Sequence, residues 1–533
     1  MSEEPWNKAG LPPPAGGHDD IVIGSGMGGM TSAAMLAAMG RRVLVLEQHY
    51  TAGGFTHMFK RKRWTWDVGV HAVGEVTNHT LTGRLLTHLT HGRLEWASLG
   101  PVYDTFQWPG DFRIDFPDNP RQFRENLVEA FPAGVDAIDG YLRAVKEVSG
   151  SMRAFYQARA LPRGVDVVAE RLLARKAHTW FTKRTADVTA SLTDDPRLRA
   201  LFAAQWGYYG SPPSRSSFAI QALVTRHFMR GGFYPVGGAK MIAHHLLGRV
   251  AEAGGWTRIR ADVEAILVER GAAVGVRLAD GEVIRAQRVF SAVGVAATLE
   301  RLLPPDIGQA PWAQSIARLR PAPAHVCLYI GFKGDIRAAG ASAANQWFYE
   351  TWNPEDEVWD VRADRPIPKA PCLYVSFPSL KDPAHDAGPD QLHTGEIVTF
   401  APWEAFEPWR EERWRRRGED YEAFKERLTE QLLAQFLAYR PELRPLVAYT
   451  ELSTPITTDH FVRPVRGSIY GIEPTPERFA NRALRPRSPV KGLYFSGSEV
   501  ATVGVIGAMM GGVSAVMAAE PRKTMAMMKG LRG

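Results

Sequence analysis

A segment near the N-terminus, "DDIVIGSGMGGMTSAAMLAAMGRRVLVLEQH" (19–49), constrains the fold more than any other part of the chain. A short apolar run, a glycine-rich turn, a helix-forming stretch of small and apolar residues and a second apolar run, "VLVLE", read as one strand–helix–strand unit. Gly24, Gly26 and Gly29 stand at the G-x-G-x-x-G positions. The first permits a tight turn, the second lets backbone approach a pyrophosphate, and the third lets the helix pack closely on the strand. Free N–H groups at the helix start face the phosphates. Glu47 ends the second strand, at the distance where an acid bonds ribose hydroxyls, which favours FAD or NAD over NADP. The expected fold class is α/β, built on a Rossmann-like parallel sheet.

The residues that follow narrow the choice. "QHYTAGGFTHMFKRKRWTWDVGVHAVGE" brings a second glycine pair, Gly53-Gly54, and the run Asp67-Val-Gly-Val-His71. In this arrangement the chain resembles the flavin amine oxidase superfamily. Within it, "LEQHxxxGGxxHxF" followed by "DxGxH" is similar to the phytoene desaturase, carotenoid isomerase and retinol saturase family. "GGFYPVGGAKMIAHHL", the β-rich "IRADVEAILVERGAAVGVRLADGEVIRAQRVFSAVG" and "TPITTDHFVRPVRGSIYGIEPTPERF" resemble further segments of that family.

The resemblance implies an amine oxidase-like (GR2-type) FAD-binding domain assembled from residues 19–90, 231–305 and 465–520. An interleaved α+β substrate domain is implied for 91–230 and 306–464, with a flexible tail over 1–18 and a basic tail over 521–533. The implied FAD contacts are Gly24, Ser25, Gly26, Gly28 and Gly29 in the first loop, then Glu47 and Gln48, then Gly53, Gly54, Phe55 and Thr56. Val263 is implied to meet the adenine through its backbone. Gly497, Glu499, Val505 and Ile506 complete the set.

The stretch "VATVGVIGAMMGGVSAVMAA" (500–519) carries no charge and is long enough to cross a bilayer. Its glycines and alanines leave little bulky hydrocarbon, and "YFSGSE" precedes it with a carboxylate. It resembles the family's closing motif, in which a strand delivers an acid, Glu499, and a helix begins beneath the flavin ring. A cofactor site, not an anchor, is the expectation.

Composition excludes several classes. The chain has 533 residues, 45% hydrophobic and 23% charged, the make-up of a globular protein long enough for more than one domain. A net charge of +7 is dispersed among abundant acids, so no nucleic-acid partner is expected. Cys327 and Cys372 lie in strand-like runs and read as buried thiols. No HExxH, GxSxG or Cys/His cluster marks a metal or hydrolytic centre. The polar N-terminal residues lack a secretory pattern, so a cytoplasmic location is expected. Basic-aromatic stretches at 171–188 and 403–421 and the Met-rich C-terminus suit peripheral membrane contact, placed foremost at residues 150–190.

The chemistry implied is hydride transfer through flavin N5 at a carbon–carbon double bond of a retinoid or carotenoid-like isoprenoid lipid. Desaturation and cis–trans isomerisation by the same family, amine oxidation, and a flavin-free prenyl-lipid carrier stand as alternatives. With no second G-x-G-x-x-G after a strand, NAD(P)H is left only as a transient reductant. His57, His71 and Tyr470 are the candidate proton carriers. Trp206, Tyr208, Tyr209, Phe228, Phe233 and Trp347 are candidates for an apolar tunnel.

Overall fold

In the computed structural model, which describes residues 4–6, 17–161, 174–356 and 358–531, Asp20–Ile23, Met27–Ala38 and Val43–Leu46 form the strand–helix–strand unit that the glycine pattern predicts. The two strands join a five-stranded parallel sheet in the order Leu493–Phe495, Arg288–Ser291, Asp20–Ile23, Val43–Leu46, Trp256–Arg258. Three distant parts of the chain therefore supply one sheet. The buried Asp20 carboxylate accepts from Arg41 and Arg288, and Arg288 also pairs with Glu520 at 2.9 Å, which fastens the starts of two inner strands to the end of the last long apolar helix.

That helix, Gly504–Ala519, packs against Met27–Ala38, and the contact explains its composition. A Cβ on Gly28 would meet the Cα of Gly497 at 2.5 Å, one on Gly512 the carbonyl oxygen of Gly28 at 2.6 Å, and one on Gly511 would strike the Gly497 carbonyl. The backbones touch where any side chain would intervene. Ser496 Oγ donates to the Gly28 carbonyl at 3.0 Å and lies 2.9 Å from Ser32 Oγ. The absence of charge between 500 and 519 reflects enclosure by protein, and among the described residues no helix is long and apolar enough to cross a membrane.

A second, seven-stranded sheet runs Val447–Ser453, Ala324–Lys333, Leu392–Ala401, Cys372–Ser376, Asn345–Tyr349, Val102–Trp108, Phe112–Pro117. It is antiparallel except where Asn345–Tyr349 meets Val102–Trp108. Helix Glu419–Tyr439 packs with one flank of this sheet, and helices Val135–Arg159 and Phe218–Phe228 share an aromatic-rich core with its other end. Both cysteines are buried and unpaired in strands of this sheet.

Several of the expected segments take a more definite form. The hairpin Met58–Arg61/Trp64–Asp67 lies within the segment assigned to the flavin domain. Its indoles donate to Phe332 and Ile330 carbonyls of the seven-stranded sheet, each at 3.1 Å, so this hairpin is in contact with the segment expected to bind substrate. The basic C-terminal tail is a helix, Pro521–Gly530, anchored by buried Thr524 and Met528. Within the expected N-terminal tail, Trp6 is buried in the core beside the first helix; residues 1–3 and 7–16 lie outside the described residues. Of the 150–190 segment, 162–173 lies outside the described residues, and Phe155, Phe181 and Val188 are buried in the core. Trp403 and Phe406 are likewise buried, and Trp409 packs against the same core.

Gly511→Ala is expected to destabilise the fold by about 1–3 kcal/mol, because its Cβ overpacks a backbone contact. Gly248 lies inside helix Lys240–Glu252 with open space where a Cβ would go. Gly248→Ala should therefore stabilise by up to ~1 kcal/mol. Thermal unfolding of the two variants beside the parent checks both signs.

Candidate active site

A single continuous cavity of about 1850 Å³ lies between the two sheets, lined by Gly24, Gly26 and Gly28 at one part and by Met152, Trp206, Tyr208, Trp347 and Phe400 at another. Small-ligand pockets usually occupy about 300–1000 Å³. This one has room for a dinucleotide and a long apolar molecule together.

The glycine loop presents its backbone to the cavity. Gly24 has φ +90° and Gly26 caps the first helix, with nothing within 4 Å of where a Cβ would stand. Glu47, Gln48, Gly54, Phe55, Thr56, Val263, Gly497, Glu499, Val505 and Ile506 also line the cavity. Ser25, Gly29 and Gly53 do not; they build the loop from behind. Ser25 donates through N and Oγ to Glu47 Oε2 at 2.9 and 2.6 Å, and its Oγ accepts from Gly53 N at 3.0 Å. Glu47 Oε1 accepts from His49 N at 2.9 Å, which leaves one of its roughly four lone-pair sites for a ribose hydroxyl. Gln48 spends its amide on the Phe461 carbonyl. Glu499 turns its carboxylate onto the N–H groups of Val295 and Ala296, beside Gly471, and burial raises its pKa.

The three candidate proton carriers all reach the cavity, but two are committed elsewhere. His57 Nδ1 is bonded to the Gly54 carbonyl, and burial lowers its pKa to about 4. Tyr470 donates its hydroxyl proton to the Gly207 carbonyl at 3.1 Å, and burial holds that proton tightly. His71 differs. Its Nδ1 lies 2.9 Å from Glu396 Oε2, at ion-pair distance but outside hydrogen-bond geometry, and its Nε2 makes no hydrogen bond to protein among the described residues. Its ring meets Tyr374 edge-on at 5.1 Å. Of the aromatics named for a tunnel, Trp206, Tyr208, Phe228 and Trp347 line the cavity, whereas Tyr209 and Phe233 do not.

Behind His71 lies a polar cluster that sequence reading missed: Glu396, Lys381, Asn345 and Asp104, with His325 beside them in the cavity wall. Lys381 Nζ donates to the His71 carbonyl, to Asn345 Oδ1 and to Ser376 Oγ. Asp104 accepts from Tyr208 at 2.7 Å and Asn345 at 2.9 Å. Asp67 accepts from the Tyr234 hydroxyl and gives its N–H to Glu396 Oε1. Burial, reinforced for Asp67 by its neighbour Glu396, raises Asp104 to about 6, Asp67 to about 7 and Glu396 to about 8. Burial also lowers Lys381 to about 7, His71 to about 3 and His325 to about 4. Low dielectric disfavours every charged form, so protons collect on the acids and leave the imidazoles neutral.

A family model for flavin containing amine oxidoreductase matches residues 27–519. The chain belongs to this flavin amine oxidoreductase family. All-trans-retinol 13,14-reductase of Danio rerio is 32% identical over 93% of this chain and 85% of its own length. Chloroplastic prolycopene isomerase of Arabidopsis thaliana is 24% identical over 92% and 82%. Wild-type putrescine oxidase bound to putrescine superposes with a TM-score of 0.62 at 15% identity, covering 96% of this chain and 100% of that one, a likeness of fold. The flavin amine oxidoreductase framework accounts for the mixed α/β architecture, and the protein is a flavin-dependent oxidoreductase.

The residues present fit a flavin dinucleotide. Open space at Gly26 and the first-turn N–H groups of Met27–Ala38 would hold the pyrophosphate, and the Gly504–Ala519 N-terminus would lie by the ring. Gly26→Val should therefore fold normally, because a Cβ there meets no protein atom within 4 Å, yet be purified without flavin. Unchanged thermal unfolding of the apoprotein together with lost flavin absorbance is the expected pair of results.

Proposed function

We propose that this flavoprotein acts on a carbon–carbon double bond of a retinoid or carotenoid-like isoprenoid lipid, in the reducing direction. The observation that carries the reading is the continuity of the glycine-loop wall with a long, mostly apolar wall of aromatic and aliphatic side chains. A short cationic amine would leave most of that wall empty and would pay desolvation against it. The resemblance to retinol 13,14-reductase supports the reducing direction, and prolycopene isomerase supplies the second reading, isomerisation of a polyene.

A bound flavin supplies a hydride acceptor or donor at N5. The chain's part is to bind the cofactor on its glycine loop, to hold the polyene extended along Trp206, Tyr208, Trp347 and Phe400, and to keep water out. His71 is the side chain placed to carry a proton at Nε2 for the second alkene carbon. NAD(P)H is the class of reductant to try first. For lipid entry, the support is at the cavity's Met525–Lys529 rim, where exposed Met525 and Lys529 combine with exposed Lys146 and Arg230. An apolar side chain flanked by cations suits peripheral contact with a membrane surface.

The test is an anaerobic mixture of reduced holoprotein with all-trans-retinol or a carotenoid in detergent. Flavin reoxidation coupled to a polyene band at shorter wavelength is the expected result. A band that moves without reoxidation favours the isomerase, and reoxidation by neither polyene removes the reading.

A further inference from the structure

We infer that Glu396 is the proton store behind His71: it rests as the neutral acid and passes its proton through the imidazole to the substrate carbon. The inference rests on the reading of the site as a polyene reductase, which names the need for a proton but not its source.

The geometry singles out this pair. Strand Leu392–Ala401 is buried along most of its length, and Glu396 is its fully buried acid. Its Oε1 accepts from Asp67 N at 3.1 Å, and its Oε2 has only His71 Nδ1 within reach, at 2.9 Å. Both atoms are buried and neither forms a hydrogen bond to any group among the described residues; at 2.9 Å they lie at ion-pair distance but outside hydrogen-bond geometry, and a small turn of either side chain that sets one proton between them would satisfy both. The groups facing Glu396 are Asp67 and His71 from the hairpin and its following loop, Lys381, Tyr234, and Cys327, Tyr329 and Tyr374 on strands beside it. Lys381, the cation among them, donates all three of its protons, to the His71 carbonyl, Asn345 and Ser376. It pins the backbone of His71 without a hydrogen bond to Glu396, and its positive charge works against the burial that protonates Glu396. Burial in low dielectric is what favours the protonated form of Glu396, against the charge of Lys381 and the Asp67 N–H.

The proton bookkeeping closes in one step. After that turn, Glu396 Oε2–H donates to His71 Nδ1, so the neutral imidazole carries its own proton on Nε2, the nitrogen left to the cavity. When the first alkene carbon receives a hydride, which a reduced flavin held on the glycine loop would supply, the Nε2–H bond breaks toward the second carbon. The Glu396 proton moves onto Nδ1 in the same event. His71 ends neutral with its tautomer exchanged, Glu396 ends as carboxylate, and the polyene has gained H⁻ and H⁺. Solvent returns one proton to Glu396 before the next turnover, and rotation or exchange at the imidazole restores the starting tautomer. Glu396 never touches the substrate and is a positioning and proton-supplying residue acting through His71.

Holoprotein carrying Glu396→Gln is the test, with Glu396→Asp as rescue. Gln keeps the shape and a hydrogen bond to Nδ1 but cannot release a proton. Infrared spectra at neutral pH should show a protonated-carboxyl C=O stretch in the parent that is lost in Glu396→Gln and shifted in Glu396→Asp. Single-turnover reduction of the polyene should slow by about 100-fold in Glu396→Gln, the low end of general acid–base effects. The alkaline limb of the parent's pH–rate profile should vanish with it and return in Glu396→Asp. A C=O band unaffected by Glu396→Gln, or a parent-like rate and alkaline limb in that variant, overturns the inference. If no form reduces a polyene while the Glu396 band is present, the functional reading has failed and the proton store stands. If Glu396→Gln does not retain flavin, the parent band and its shift in Glu396→Asp decide.

Discussion

The backbone contact among Gly28, Gly497 and Gly511 is the constraint on which the rest of the structure depends. Residues nearly 500 positions apart in sequence meet with no side chain between them, because close-packed interiors leave no slack for an added methyl group. The contact sets the N-terminus of Met27–Ala38 beside the turn that precedes Gly504–Ala519. Two helix starts therefore open on one cavity, and both offer free N–H groups and positive dipole ends to an anionic cofactor. The Asp20–Arg288–Glu520 linkage holds the far end of the same pair of helices.

The opposite wall follows a different physical rule. It is apolar over most of its length and then, behind His71, buries three acids against one lysine. An unpaired charge there would cost several kcal/mol, so the cluster persists only by sharing protons and by satisfying its donors. Lys381 does this with three acceptors, and Asp104 with Tyr208 and Asn345. The hairpin Met58–Asp67 makes the arrangement possible. By seating Trp64 and Trp66 on the seven-stranded sheet it carries Asp67 and His71 to the strand that holds Glu396.

What the sequence made legible was local. The glycine loop, Glu47 and the helix after Glu499 are contiguous motifs whose spacing encodes their geometry, so their placement on the cavity could be read directly. Ser25, Gly29 and Gly53 sit in the same motifs yet support the loop from behind, since a motif does not say which side of a turn faces inward. Glu396 and Lys381 escaped notice because their meaning is long-range: more than 300 residues separate each from His71. The available signal was a lone acid in the strand-like run "LHTGEIVTF". The tryptophans among arginines at 403–414 show the same limit from the other side. Aromatic periodicity alone does not distinguish a membrane face from a core face, and the helix Glu419–Tyr439 gave Trp403 and Trp409 a core to enter.

The central claim is that one cavity holds a flavin along the glycine loop and a polyene against the His71 wall. An experimental structure of the holoprotein with a bound polyene tests it most directly. The account predicts the pyrophosphate over Gly26, the conjugated chain along Trp206 and Trp347, and a double-bond carbon within reach of His71 Nε2. A polyene lying outside that wall, or a flavin ring filling the space in front of His71, would contradict it.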